Sequence, residues 1–238
     1  MSLSAVPLVA AQSAFVQVGP SIGFSDADLR QIYKDYGECV VGRFPRQASA
    51  ALLQDVDDET LIKSRGVLIT SDCLKPPKGM RFGLNLQADR VRYAIADALV
   101  RSELAHAGPL DPKSLPALEH WNPGQPPNTL SRSGKPLKDA DYQDALRKYQ
   151  EKAAFRAFAI FGECVVRANP ANARSLLATQ PETKEENAAF AQLQGALSAC
   201  LPAGRTLSFT KQPLRGTIAV NYYRLAKASM KSSGGESR

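Results

Sequence analysis

The sequence predicts a mainly α-helical protein with a minor β contribution: two homologous helical repeats in a pseudo-twofold arrangement, each with one short strand. Three observations predict it. Within 238 residues the hexapeptide YGECVV at 36–41 returns 125 residues later as FGECVV at 161–166. Around both copies, apolar residues recur at steps of three and four, the period of a helix with one buried face. The four cysteines, Cys39, Cys73, Cys164 and Cys200, are separated by 34, 91 and 36 residues, which places one near-equal pair in each copy.

The duplication continues beyond the hexapeptide. Each copy carries a proline at the same offset (Pro45, Pro170), a leucine pair (Leu52 and Leu53, Leu176 and Leu177), Cys-Leu (Cys73 and Leu74, Cys200 and Leu201) and a glycine (Gly79, Gly204). Val91, Arg92, Ile95, Ala96 and Arg101 then match Leu214, Arg215, Ile218, Ala219 and Arg224. Matched features kept in one order mark a repeated supersecondary unit.

In the first repeat, 25–105, Ser25 and Asp28 form a capping box ahead of Leu29, Ile32, Tyr33, Tyr36 and Val40, a helical face. Pro45 suits the first turn of a second helix reaching Leu53, where its missing N–H costs nothing. An acidic stretch, 55–59, leads a third helix with Leu61, Ile62, Leu68, Ile69 and Cys73 on one face. A short alternating strand at 80–86 and a helix with Val91, Ile95, Ala98 and Leu99 facing inward complete it. The second repeat, 139–228, opens with a long helix through Tyr142, Leu146, Tyr149, Ala153 and Phe158. Phe190, Leu193, Leu197 and Cys200 mark its third helix, 205–210 its strand, and Leu214, Ile218, Tyr222 and Leu225 its last helix, with Pro213 in the first turn. The two strands are expected to pair across the pseudo-axis, because a lone strand leaves its backbone unpaired. Gly37 and Gly162, inside helices, report close helix packing.

Residues 106–138 hold seven of the sixteen prolines and both histidines, with Trp121 as the one large apolar anchor, and read as a linker or surface-wrapping connector. The tail 229–238 lacks apolar content and is expected to be disordered. No charged residue precedes Asp26, so 1–24 reads as a truncated signal-peptide remnant or a flexible arm.

No CxxC pair exists, which argues against zinc-ribbon and thioredoxin-type sites. The spacings instead predict the bridges Cys39 to Cys73 and Cys164 to Cys200. Each closes a loop worth about 3.8 kcal/mol in the chain-entropy model, and such bridges persist in an oxidising compartment. The expected location is therefore periplasmic or secreted. No apolar run approaches the roughly 18 residues of a spanning helix, so no transmembrane segment is expected.

A net charge of +7 and a pI near 9.3 favour an anionic component of the cell envelope as partner. The basic residues lie beside acids all along the chain, without the concentrated face of a nucleic-acid reader, so no specific nucleic acid is expected. No HExxH, GxSxG, GxGxxG or GxxxxGK[ST] string occurs, and no cofactor or metal is expected. His106 and His120, the only bases of their kind, fall in the connector and read as solvated. Glu38 and Glu163, each one residue before a cysteine, are the remaining candidates for chemistry. Facing each other across the axis they would form an acid/base pair of a hydrolase-like enzyme; within their own repeats they would form buried ion pairs with Arg92 and Arg215. The ion-pair reading is preferred, since a buried carboxylate needs such a partner.

The pattern GECVV, then Cys-Leu-Pro or Cys-Leu-Lys-Pro, then Leu-Arg-Gly or Val-Arg-Tyr before a final helix resembles a group of uncharacterised exported helical proteins of Gram-negative bacteria. The second copy matches better; Lys75 and Tyr93 depart from the pattern in the first. The resemblance implies export and a helical repeat, and carries no activity. The expectation is thus a non-catalytic interaction or structural module of the envelope, with the paired-glutamate hydrolase as the alternative and cytoplasmic nucleic-acid binding as a third.

Overall fold

The structure, a computed structural model, describes residues 25–54, 63, 66–74, 88–130, 134–136, 138–201 and 210–234. Among them are seven α-helices: α1 (Asp26–Arg43), α2 (Pro45–Leu53), α3 (Ala88–Glu103), α4 (Asp139–Ala168), α5 (Pro170–Ala178), α6 (Lys184–Cys200) and α7 (Lys211–Gly234). Two single 3-10 turns, Gly66–Leu68 and Ser71–Cys73, lie between α2 and α3. The chain is mainly helical, as expected.

Local chemistry places the helix ends. The Ser25 hydroxyl accepts from the Asp28 amide and the Asp28 carboxylate accepts from the Ser25 amide, so two amides that the first turn leaves open are satisfied reciprocally. Phe44 ends α1 and starts α2, and Asn169 does the same between α4 and α5. At both corners a proline (Pro45, Pro170) occupies the first turn of the new helix, where no amide is needed. The Asn169 side-chain oxygen Oδ1 also accepts from the Asn172 amide.

The core is built around α3 and α7, which cross each other; α1 packs on α3 and α4 on α7. The sequence assigned one inward face to each central helix. The structure buries every residue from 91 to 100 and from 215 to 226, including Arg92, Asp97, Arg215, Thr217, Asn221 and Arg224. A helix surrounded on all sides loses its polar face, so each of these groups must find a partner inside the protein. The approach of α1 to α3 and of α4 to α7 needs the two glycines: a methyl at Gly37 would collide with the Ala94 carbonyl, and one at Gly162 with Thr217 and Asn221.

Of the third helix expected in the first repeat, the acidic stretch 55–59 with Leu61 and Ile62 lies outside the described residues; Lys63 is helical, and the end of the expected face, Leu68 and Cys73, lies in the two 3-10 turns. Tyr36 explains how the turns are held: its hydroxyl donates to the Leu68 carbonyl at 2.7 Å and accepts from the Thr70 amide at 3.1 Å. Phe161 has no hydroxyl, and opposite it α6 satisfies its own backbone. The expected strand at 80–86, and most of that at 205–210, also lie outside the described residues. Among the described residues the only extended pairing is an isolated antiparallel bridge between Leu130 and Pro136 in the connector. The tail expected to be disordered is helical through Gly234, because Ala226, Lys227, Ala228, Met230 and Lys231 are good helix formers continuing an anchored helix.

Candidate functional site

Both disulfides form as expected. Cys39 bridges α1 to the second 3-10 turn at a Cα separation of 5.5 Å, and Cys164 bridges α4 to α6 at 5.8 Å. They tie the helix bearing each candidate glutamate to its neighbour.

Glu163 lies on the buried side of α4 with 8% of its side chain exposed. His120 Nε2 donates to its Oε2 at 2.6 Å, and the Leu118 amide and Arg167 Nε donate to its Oε1 at 2.9 and 2.7 Å. Burial alone would push this carboxyl up; the three donors outweigh it and hold the group at about 2, from an ordinary 4.5. His120 is therefore not the solvated linker residue the sequence suggested: its side chain is 6% exposed, and its Nδ1 is buried without a hydrogen-bond partner. His106 is exposed, as expected.

The same cluster fastens the connector. Arg167 donates to the carbonyls of Pro112, Leu115 and Pro116, Arg174 to those of Leu104, Ala105 and Gly108, and Arg224 to that of Glu119. Leu110, Leu115 and Leu118 pack partly into the core beneath.

Glu38 behaves differently. Its side chain is 45% exposed and meets Lys34, one turn earlier, at 3.2 Å and Arg101 of α3 at 3.3 Å. The ion pairs expected from sequence are corrected on both sides. Arg92 lies over the Phe155 ring, 5.4 Å from its centroid, and Arg215 joins Asp97 and Glu186. The reason is geometric: α3 and α7 cross, so Arg92 and Arg215 reach groups other than Glu38 and Glu163.

What the sequence missed is an ion-pair chain running Glu182, Arg30, Glu186, Arg215, Asp97, Arg101, Glu38, Lys34. Its four anions and four cations balance. At its centre Glu186 is fully buried, accepting from Arg30 at 2.6 Å and Arg215 at 3.2 Å through Oε1, and from the Glu182 amide at 3.0 Å through Oε2. Glu182 reaches this position with φ of 63°, in the left-handed region that residues other than glycine seldom adopt. Arg215 also donates to the carbonyls of Leu176, Leu177 and Thr179, so its guanidinium is occupied by internal acceptors. Of these residues the sequence comparison singled out only Glu38, Arg101 and Arg215, as matched positions; nothing local marks Arg30, Asp97 or Glu186.

Chemically, Glu38 and Glu163 share no partner, and a carboxyl held near 2 neither releases nor takes up a proton readily near neutrality. Tyr223 lies 2.6 Å from Ser49 Oγ and 2.8 Å from Glu103, which Lys227 pairs; burial pushes this phenol up, so it is no base for the serine. The two clefts on either side of the α3 and α7 crossing are small. Among the described residues no group of histidine, cysteine or carboxylate side chains could hold a metal ion, and no helix is long and apolar enough to cross a membrane. Comparison with known proteins finds no family model, no curated protein and no solved structure that matches the chain.

Proposed function

We propose that the chain is an exported, non-catalytic module of the bacterial cell envelope, periplasmic or secreted, that binds an anionic component through its surface. It is built from two homologous repeats related by a pseudo-twofold axis. The observation that carries this reading is the engagement of the interior charges: Arg215, Glu186 and Glu163 are committed to internal partners, which leaves them as scaffold and not as chemistry. The repeats are supported by equivalent features at equivalent places: a one-residue corner before a proline, a bridge from the first helix, and a glycine under the central helix. Two bridges and the absence of free cysteines suit an oxidising compartment.

Osmotic-shock fractionation with non-reducing peptide mapping tests the location. Shockate protein carrying both bridges is expected; cytoplasmic protein with four free thiols refutes it. The excess of +7 is diffuse, so binding to an anionic polysaccharide should be weak and fade as the screening length falls to roughly 8 Å at physiological salt. Submicromolar, sequence-dependent binding to duplex DNA that survives that salt would refute the reading.

A further inference from the structure

We propose that Tyr93 and Gly216 are a complementary pair, set on the pseudo-axis, which makes the first repeat fit the second and prevents either from fitting a copy of itself. The proposal rests on the reading of the chain as two homologous repeats. In the sequence match Arg92 corresponds to Arg215, so the next residues, Tyr93 and Gly216, occupy one position in the two repeats. In a symmetric pair, a residue on the axis meets its own counterpart. Here these two meet: a Cβ added to Gly216 would fall on the Cβ, Cγ and Cδ1 of Tyr93. Those atoms belong to the stem of the side chain and cannot swing clear. Tyr93 is 7% exposed and lines the clefts on both sides of the crossing, as a residue on an axis should.

Two copies of the first repeat would bring tyrosine onto tyrosine in a space that holds one ring. Two copies of the second would leave a void where the ring stands, and protein interiors tolerate neither. The flanks of the crossing differ in the same sense. On one side Arg215 meets Asp97 and Glu186; on the other its counterpart Arg92 lies over Phe155, with Val220 lining that cleft where Asp97 lines the first. One flank is ionic and the other is cation against ring. A second copy of this chain therefore cannot lend a first repeat to a first repeat through this surface.

The test is a reversal of sign. In the native background Gly216→Ala should lower the melting temperature by about 3 to 10 °C, the range for overpacking in a domain of this size. In a Tyr93→Gly background the obstruction is gone and the same change replaces a glycine inside a helix, so it should raise the melting temperature by about 2 to 4 °C. A fall of similar size in both backgrounds, or a rise in the native one, overturns the proposal. Should Tyr93→Gly alone fail to fold, the exchange Tyr93→Gly with Gly216→Tyr should regain a cooperative melt, because it returns the ring from the other helix. An exchange variant as unfolded as the single one also overturns it. A crystal structure of the unaltered chain tests the duplication separately: failure of α1–α3 to superpose on α4–α7 removes the axis itself.

Discussion

Replacing Glu163 by Gln keeps the shape of a buried side chain and removes its charge. The carboxylate accepts from His120, the Leu118 amide and Arg167. The amide that replaces it can still accept through its oxygen, but its NH2 then faces a donor, either His120 Nε2–H or Arg167. The difference between an ordinary 4.5 and about 2 corresponds to about 3 kcal/mol of stabilisation by the ionised form. With 8% of the side chain exposed, solvent screens little of it. At pH 7 the variant should lose about 3 kcal/mol in urea unfolding, or about 6 to 12 °C in melting temperature. Because the folded-state value lies below the unfolded one, this stabilisation is complete above about pH 4.5 and is lost as pH falls through about 2. Native and variant curves should therefore converge between pH 4.5 and 2. Glu38→Gln, at a half-exposed position, should move stability by less than about 0.5 kcal/mol at any pH in this range. Equal stability of native protein and Glu163→Gln at pH 7, or a gap that stays constant down to pH 2, would refute the reasoning.

Tyr36→Phe should cost about 1 to 3 kcal/mol by leaving the Leu68 carbonyl and the Thr70 amide without the hydroxyl; faster hydrogen exchange at the Thr70 amide reads it directly, and unchanged exchange counts against it. Arg215→Lys offers three donors in place of five and cannot reach both flanks of its site, so a loss of about 3 to 5 kcal/mol is expected in urea unfolding; a loss under about 1 kcal/mol would show that the central ion-pair chain is dispensable.

Much of the helical scaffold is legible in the sequence because its signals are local. The capping box at Ser25, the prolines after Phe44 and Asn169, and the cysteine spacings each act within a few residues or through loop length, and α1, α2, α5 and both bridges follow from them. The interior charges were not legible for the opposite reason. Arg30 and Glu186 are 156 residues apart and Asp97 and Arg215 are 118 apart, so their pairing depends on how helices cross, which no periodicity encodes. His120 was misplaced because proline density marks irregular backbone without saying whether that backbone is bound; the leucines at 110, 115 and 118 were the available sign that it is. The 3-10 turns before Cys73 are held by one hydroxyl, that of Tyr36, where the other copy has Phe161, a difference the repeat comparison displays without explaining.

The backbone of 104–119 is gripped by seven carbonyl oxygens that meet Arg167, Arg174 and Arg224, while one of its amides, that of Leu118, bonds to Glu163. Every amino acid carries a carbonyl, proline included, and proline lacks only the group this grip mostly ignores. Apart from Leu104, Ala107, Leu110, Leu115 and Leu118, which pack on the core, side chains along 104–119 are thus free to drift, whereas exchanging Arg167 or Arg174 for lysine removes the planar fork that reaches three oxygens at once. Selection on this strap should fall on the helices that hold it and spare most of the residues being held.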